Sequence, residues 1–226
     1  MIIQLSVIIP VFNEIEILPE TIQNFEQWKD SDVELIFVDG GSIDGTLAYL
    51  NKHKYRVIKS SKGRGHQLDQ GVKQAQGDYL LFLHADNYFI DSPKREILKC
   101  LSQGKIGAFK LSFTSDNWKQ KCIAYGSNWR LKHRKIAFGD QGIFVRKNYY
   151  QELGGFRSLP LMEDYDLSLR SRSKGEKMMR AEQFIHTSDR RFKEKGILKT
   201  LLKMQYCQYL FRKNASMERI MNVYYS

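Results

Sequence analysis

The sequence contains few cysteines, which could cross-link the chain, and few prolines, which would interrupt helices and strands. It has only three cysteines, Cys100, Cys122 and Cys207, and four prolines among 226 residues. The odd number of cysteines and the lack of any CxxC pair argue against a disulfide framework or a zinc ribbon. We therefore expect reduced thiols, which are typical of a cytoplasmic protein.

Long apolar segments are also missing. The N-terminal residues, MIIQLSVIIPVFNE, contain no basic region and no cleavage site, so they do not predict a secretion signal. The longest clean apolar runs, such as residues 79–83, are far too short to cross a bilayer. Any association with a membrane is therefore expected to be peripheral.

Acidic residues are fewer than basic residues. The chain has 36 Lys and Arg residues against 25 Asp and Glu residues, a formal net charge of +11. This excess favours anionic partners such as nucleic acid, anionic lipid or phosphorylated substrates, without choosing among them. Hydrophobic residues make up 42% of the chain and charged residues 27%, a globular composition that excludes extensive disorder.

The first hundred residues alternate between apolar runs and segments of helical periodicity. The runs predict strands over residues 5–9, 35–38, 55–59 and 79–83. The segments between them predict helices over residues 14–28, 44–54 and 67–76. Such alternation indicates βαβ units and a mostly parallel sheet.

The second half of the chain is less regular. Its patterns predict strands over residues 107–113 and 142–146, helices over 118–132, 147–153 and 163–174, and short extended pieces over 177–181 and 183–186. From residue 196 onward the periodicity is helical. We therefore predict an α/β domain over residues 1–195, with a helical extension over residues 196–226 packed on or beside it.

Polar segments follow each of the four predicted N-terminal strands. They are PVFNE at residues 10–14, DGGSIDGT at 39–46, KGRG at 62–65 and HAD at 84–86. Because ligands of open parallel sheets bind beyond the carboxyl ends of the strands, these segments are expected to share one rim. Their carboxylates, histidine and glycine-flanked arginine suit a nucleotide and a divalent cation.

Each of these residues also has a purely structural interpretation. Asp39 could hold a turn, and Arg64 could lie in a solvated loop instead of contacting a phosphate. Asp86 is a weak metal signal by spacing alone. Glu163 and Asp164 open a predicted helix, whose N-terminal end favours carboxylates for stability, although adjacent carboxylates can also divide structural and general-base roles.

Taken in order, the segments SVIIPVFNE, FVDGGSIDGT, LHAD, GDQGIFVRK and LMEDYDLSLR resemble the family 2 glycosyltransferases of the GT-A fold. The resemblance covers roughly residues 5–191 and implies a Rossmann-like, mostly parallel central sheet flanked by helices. The segments LHAD, GDQG, PLMEDYDL and TSDRR further resemble a small subgroup of bacterial transferases labelled radical-SAM- or selenodomain-associated, or arsenosugar-biosynthesis-like.

The resemblance implies roles for the matching positions. The nucleotide would be bound by Pro10, Phe12, Asn13, Glu14, Asp39, Arg64, His84, Ala85 and Asp86. Asp164 would be the general base, with Glu163 beside it, and Asp86 and His186 would hold Mg²⁺ or Mn²⁺. The acceptor would lie against Asp140, Gln141 and Gly142, and Arg190 and Arg191 would contact phosphate. Two positions depart from the family pattern: Gly40 and His84 stand where carboxylates are usual.

These patterns together predict an inverting glycosyltransferase. It would move a sugar from a UDP-sugar, or alternatively a GDP-sugar, to the hydroxyl of a small-molecule or lipid-linked acceptor. The alternatives are a nucleotide-sugar-binding protein with weak or lost catalysis and a nucleotidyltransferase, although residues 10–14 lack the glycine-rich loop expected of the latter. Carboxylates at the strand ends argue against a nucleic-acid partner.

The C-terminal region has two interpretations. Residues 190–213 are rich in Lys and Arg, with Leu, Tyr and Phe between them. Such a segment either contacts the inner face of an anionic membrane or packs on the core with a solvated basic face.

Overall fold

One eight-stranded sheet organises the part of the chain that the computed structural model describes, residues 2–28, 30–113, 117–188 and 197–226. The strands are β1 Leu5–Val11, β2 Val33–Asp39, β3 Arg56–Lys59, β4 Tyr79–Phe82, β5 Asn87–Tyr88, β6 Ile106–Phe113, β7 Phe144–Arg146 and β8 Met179–Thr187. They lie in the order β3-β2-β1-β4-β7-β6-β8-β5.

The two halves of the sheet differ in strand direction. β1 is parallel to β2 and β4, and β2 is parallel to β3, as consecutive βαβ units require. β7 then runs antiparallel to both β4 and β6, and β8 is parallel to β6 but antiparallel to β5. The prediction of an α/β protein with a mostly parallel sheet is confirmed.

Helices cover both faces of this sheet. They are α1 Leu18–Trp28, α2 Thr46–Lys52, α3 Arg64–Gln74, α4 Lys94–Gln103, α5 Trp118–Arg134, α6 Lys147–Glu152, α7 Glu163–Ser173, α8 Ile197–Arg212 and α9 Met217–Tyr225, with a 3-10 helix at Gly139–Gln141. Val7 and Ile9 of β1 pack with α1 and α4, whereas Ile8 packs with α3, α6 and α7. Since successive side chains of a strand point to opposite faces, a strand covered on both sides is apolar almost throughout.

Strands β5 and β8 and helix α4 differ from the sequence prediction, and the two-residue strand β5 was not predicted. Residues 177–186 were predicted as two short pieces, but β8 is one strand, because its pairing with β6 continues past a register irregularity between Ala108 and Lys110. Helix α4 was not predicted at all. Its buried side chains Ile97, Cys100 and Leu101 recur at helical spacing, so the signal was present in the sequence.

The C-terminal helices pack onto the α/β unit. Cys207 and Leu210 of α8 and Ile220 of α9 share an apolar cluster with Phe138 and Tyr165. This cluster places α8 and α9 next to the start of α7. None of the described helices is both long enough and apolar enough to cross a membrane.

Candidate active site at the carboxyl ends of the strands

The loops that follow β1 and β2 are tied together by side chains of the predicted site. The Asp39 carboxylate, at the end of β2, is 2% exposed and accepts the backbone N–H groups of Gly41 and Ser42 at 3.1 and 3.2 Å. Asn13 adopts a left-handed conformation, with φ of 54°. Its Oδ1 accepts the N–H of Ile43 at 2.9 Å. The two loops therefore form one preformed rim.

Gly40, one of the two departures from the family pattern, has a physical explanation. Gln67 of α3 donates from Nε2 to the carbonyl oxygens of Val11 at 3.0 Å and Val38 at 2.8 Å. A Cβ atom at Gly40 would lie 3.0 Å from that same Nε2. A side chain at position 40 would require the Gln67 amide to shift by a few tenths of an ångström, so glycine fits beside this amide without disturbing its two hydrogen bonds.

Three further predicted nucleotide-binding residues lie along the same rim. The half-buried Phe12 ring lies under the Lys62 ammonium, with 3.9 Å between Nζ and the ring centre. The N–H of Glu14 donates to Thr46 Oγ1 at 2.9 Å, and Pro10 is half-buried on β1. An aromatic face and a cation thus stand at the edge of the sheet where a nucleotide is expected.

Arg64 connects the rim to the start of α7. Its Nε makes an ion pair with Glu163, which is 2% exposed, and its Nη1 lies 3.3 Å from His84 Nε2. Burial raises the pKa of Glu163, and the neighbouring Asp164 raises it further against the effect of Arg64. Burial alone would lower the pKa of Arg64, but the charges of Glu163, Asp164 and Asp140 outweigh it and raise the pKa. Arg64 is thus held as a fixed cation.

A cavity of about 160 Å³ lies beside this ion pair. Its polar lining includes Arg64, His84, Asp86, Asp140 and Asp164. Its apolar lining, which we call the apolar wall, consists of Phe113, Phe138, Leu161, Met162, Met204 and Tyr224. A larger polar cavity of about 580 Å³ lies along α1 and shares Asp86 with it. Only the smaller cavity brings the predicted base and the predicted metal ligand together, whereas Asp39 stays on the rim.

Asp164 is oriented by two backbone hydrogen bonds. Its Oδ2 accepts the N–H of Gly139 at 2.7 Å, and its Oδ1 accepts the N–H of Tyr165 at 2.6 Å. The Gly139 backbone comes so close that a Cβ there would lie 2.6 Å from His84 Nε2. Glycine at position 139 therefore lets the turn reach the carboxylate.

The predicted acceptor residues separate in the structure. Asp140 lines the cavity, and its Oδ1 is buried with no hydrogen-bond partner. Burial raises its pKa to about 6, with Asp164 and Asp86 contributing and Arg130 opposing. Gln141 is fully buried, and its Oε1 accepts from Arg130 Nη2 at 2.9 Å.

Gly142 is also buried and does not line the cavity. Of the three residues, only Asp140 is thus placed to meet a ligand in this cavity.

The carboxylates of this cavity fit a divalent cation. Asp86 and Asp140 are close enough for their charges to interact, and one Asp140 oxygen lacks a partner. No cluster of three ligating side chains is preformed within the described ranges. Mg²⁺ and Mn²⁺ sites of this kind take only one or two carboxylates and complete their shell with substrate phosphates and water.

His186, predicted as a metal ligand, does not line this cavity. Its ring stacks on Tyr88 with 4.9 Å between centroids, and burial lowers its pKa. The adjacent Thr187 donates from Oγ1 to Asp86 at 3.5 Å. Because neighbouring residues of a strand point to opposite faces, the side chain facing Asp86 is Thr187.

Ala85, the last predicted nucleotide-binding residue, is buried, and its carbonyl oxygen accepts from Thr21. The predicted phosphate ligands Arg190 and Arg191 lie outside the described residues.

Sequence reasoning missed the apolar wall of the cavity. Met204 and Tyr224 come from α8 and α9, far along the chain from the motifs. The apolar side of α8 was visible in its helical spacing, but nothing local showed that it would face the catalytic motifs.

Comparisons with known proteins agree with this geometry. Residues 6–156 match the family described as glycosyl transferase family 2. The chain is 29% identical over 161 residues to the cholesterol galactosyltransferase of Borreliella burgdorferi, covering 65% of this chain and 45% of that protein. It is 31% identical over 154 residues to the dolichyl-phosphate beta-glucosyltransferase of Drosophila melanogaster, covering 60% and 44%. The chain thus spans less than half the length of these curated relatives.

Solved structures share the fold at low sequence identity. The mannosyltransferase PcManGT of Pyrobaculum calidifontis, in complex with GDP-Man and Mn²⁺, matches with a TM-score of 0.70 and 16% identity over 97% of this chain and 68% of that one. TarS of S. aureus in complex with UDP matches with a TM-score of 0.66 and 15% identity over 82% and 60%. The expected GT-A fold is confirmed. Since the family match also covers more than half of its residues, the chain belongs to glycosyl transferase family 2.

Proposed function

We propose that the protein is an inverting glycosyltransferase that moves a sugar from a nucleotide diphosphate sugar to an acceptor hydroxyl. The observation that carries the proposal is the position of Asp164. Its oriented carboxylate shares one cavity with Asp86 and with Arg64, which connects the cavity to the rim where a nucleotide is expected. A base, a cation and a metal-ligating carboxylate are the groups that this transfer requires.

Asp164 would act on the acceptor. It accepts the hydroxyl proton while the acceptor oxygen forms its bond to the anomeric carbon, and the bond from that carbon to the diphosphate oxygen breaks. Attack from the face opposite the leaving group inverts the anomeric centre. General-base assistance of this kind contributes about 10²–10⁴-fold to the rate.

The donor diphosphate would lie between Arg64 and Asp86. A divalent cation, Mg²⁺ or Mn²⁺, stabilises the negative charge of the leaving diphosphate when it is bound. Asp86 and Asp140 would hold it, because these carboxylates line the cavity and His186 does not. Arg64, kept cationic by its carboxylate neighbours, would add a fixed charge that needs no reorganisation during the reaction.

UDP is the proposed nucleotide, with GDP as the alternative, since the solved neighbours hold UDP or GDP-Man. The acceptor is a lipid-linked or other amphiphilic alcohol. This assignment is supported by the apolar wall of the cavity that Asp164 lines and by relatives named for cholesterol and dolichyl phosphate. The subgroup resemblance and a bacterial, cytoplasmic location, peripheral at the inner face of the membrane, belong to the same proposal.

A panel of UDP- and GDP-sugars, tested by thermal shift with and without Mn²⁺, examines the donor assignment. One nucleotide class should raise the melting temperature more with Mn²⁺ than without it, because ligands that bind only the folded state stabilise it. Transfer to lipid alcohols, with the product anomer read by NMR, examines the reaction. Retention of configuration, or no response to any donor, would contradict the proposal.

A second candidate, a nucleotide-sugar-binding protein without turnover, is favoured by the non-carboxylate residues Gly40 and His84. In the same assay it would give the thermal shift with no product and no hydrolysis of the donor.

A further inference from the structure

Helix α5 has apolar side chains on two opposite faces. Its inner face packs against β6, where the Asn128 side chain bonds to both backbone groups of Leu111. The buried residues of that face are Gln120, Ile123, Ser127 and Leu131. The opposite ridge, also at helical spacing, consists of Trp118, Cys122, Tyr125 and Trp129. We call this ridge the aromatic stripe.

The aromatic stripe points into solvent. Trp118 is 68% exposed, Tyr125 is 73% exposed and Trp129 is 45% exposed, and Cys122 is exposed between them. At 100° per residue the stripe lies almost opposite the centre of the buried face, so the protein's own core does not use it. Contiguous exposed aromatic surface of this kind marks an interaction site.

The charges around the stripe all have one sign. Helix α5 contains no Asp or Glu. Its basic residues are Lys119, Lys121, Arg130, Lys132, His133 and Arg134. On the helical wheel, Lys121 and Lys132 flank the stripe on one side, and His133 and Lys119 flank it on the other.

Aromatic residues on the ridge with long basic side chains beside them match the interface of an anionic bilayer. Tryptophan and tyrosine rings are stable at the headgroup level. Lysine side chains at the flanks reach the lipid phosphates. An acidic protein partner would satisfy the lysines but would not by itself account for a row of three exposed aromatic rings.

We infer that α5 docks on the surface of a bilayer containing anionic phospholipid, with Trp118, Tyr125 and Trp129 in the interface. The helix is also close to the cavity: Phe113, at the end of β6, lines it, and Arg130 of α5 bonds to Gln141 beside Asp140. Docking through α5 would therefore hold the cavity near the membrane. The inference does not depend on the proposed reaction, because vesicle binding is measured without a donor.

Membrane contact was one of two interpretations that the sequence left open for the basic C-terminal segment, residues 190–213. Helix α8 does leave Leu202, Tyr206 and Tyr209 exposed at 63%, 45% and 49%. Its other side is occupied, since Cys207 and Leu210 are buried in the apolar cluster and Met204 lines the cavity. The two helices thus offer comparable exposed stripes, and α8 is the matched control for α5.

Vesicle flotation of the full chain tests the inference. The wild-type protein should float with vesicles of phosphatidylcholine and phosphatidylglycerol, and much less with phosphatidylcholine alone. Two of the three tryptophans of the chain lie in the stripe, so their fluorescence should shift to the blue on binding. The variant Trp118→Ser/Tyr125→Ser/Trp129→Ser should lower the vesicle partition coefficient by about tenfold or more.

Two further variants make the result specific. Leu202→Ser/Tyr206→Ser/Tyr209→Ser, on α8, should change the partition coefficient by less than the stripe variant does. Lys121→Glu/Lys132→Glu should abolish the preference for phosphatidylglycerol. Circular dichroism and melting temperature must show that each variant is folded.

Three results would overturn the inference: no flotation of the wild-type protein at low salt, wild-type binding by the folded stripe variant, or loss of binding with the α8 variant alone. A wild-type dimer that the stripe variant abolishes, with no vesicle binding, would show instead that the stripe contacts a second copy of the chain.

Discussion

The rim between β1 and β2 and the cavity at the start of α7 use polar side chains in opposite ways. On the rim, Asp39 and Asn13 are satisfied by backbone N–H groups of the loops themselves. In the cavity, Asp86, Asp140 and Asp164 line one space; Asp164 accepts two backbone N–H groups, but Asp140 Oδ1 has no partner. The rim is complete without a ligand, whereas the cavity concentrates charge that a ligand or cation would neutralise.

We therefore expect the rim to contribute a fixed binding shape and the cavity to contribute the reactive groups. Side chains that bond to the backbone of their own loops hold a surface in place, and leaving such groups without partners costs stability. Crowded carboxylates destabilise the folded state, and such strain is typical of functional sites. Substitutions in the two regions should therefore have opposite effects on stability.

The largest expected effect is on catalysis in the cavity. Asp164→Asn keeps the shape of the side chain but removes the base, so the transfer rate should fall by about 10²–10⁴-fold. The thermal shift caused by the donor should be retained, because the rim is unchanged. Steady-state kinetics and thermal shift measure the two quantities.

Asp91→Asn, at an exposed acidic residue outside the site, is the control and should leave both quantities unchanged. Equal loss of donor binding and of rate in Asp164→Asn would mean that Asp164 binds the donor and is not the base.

The next effect is on stability and its dependence on pH. The pKa of Asp140 is about 6 in the folded protein, against an ordinary value of 3.8. The folded state therefore holds this proton more tightly than the unfolded chain does. As the pH rises from about 4 to about 6, the side chain ionises in the folded protein at a cost, and the free energy of unfolding falls. Asp140→Asn removes that cost and should stabilise the protein at pH 7 by up to about 3 kcal/mol.

Urea unfolding at pH 7 and below pH 4 checks this expectation, and the gain should disappear at the lower pH. A destabilised Asn variant at pH 7 would show that Arg130 and Arg64 already neutralise Asp140, so that the cavity does not differ from the rim. With donor and Mn²⁺ present, the variant should gain less stability than the wild-type protein.

The smallest effect is expected on the rim. Asn13→Ala removes the hydrogen bond to Ile43 and places an alanine at a φ of 54°, so the free energy of unfolding should fall by about 1–2 kcal/mol. Asn13→Gly keeps the left-handed conformation accessible and should recover part of the loss. Denaturant unfolding of the three proteins measures both steps. An alanine variant as stable as the wild-type protein would mean that the loops hold their shape without this bond.

Much of the fold could be predicted because the signal is local. The apolar runs of β1, β2 and β4 predict strands buried on both faces, and their spacing predicts parallel connections. The antiparallel β7 between β4 and β6 could not be placed in this way, since its position depends on pairing with strands far away in the sequence. Helix α4 was not predicted, although its apolar residues recur at helical spacing.

The site was predictable only in part, for a similar reason. Motif order predicted that Arg64, Asp86 and Asp164 share one rim, and in the structure all three line one cavity. Gln141, Gly142 and His186, also predicted for the site, do not line that cavity, because whether a turn or strand residue faces a cavity depends on the rotation of its backbone. It also gave no sign that Gln67 fills the space beside Gly40.

The sequence by itself determined the strands, most of the helices and the chemical types gathered at the strand ends, because apolar periodicity and turn residues act over a few neighbours. Only the tertiary structure decided the charge balance of the cavity, the apolar wall from α8 and α9, and the outward direction of the aromatic stripe on α5. These properties depend on distances between residues far apart in the chain, and only packing sets such distances.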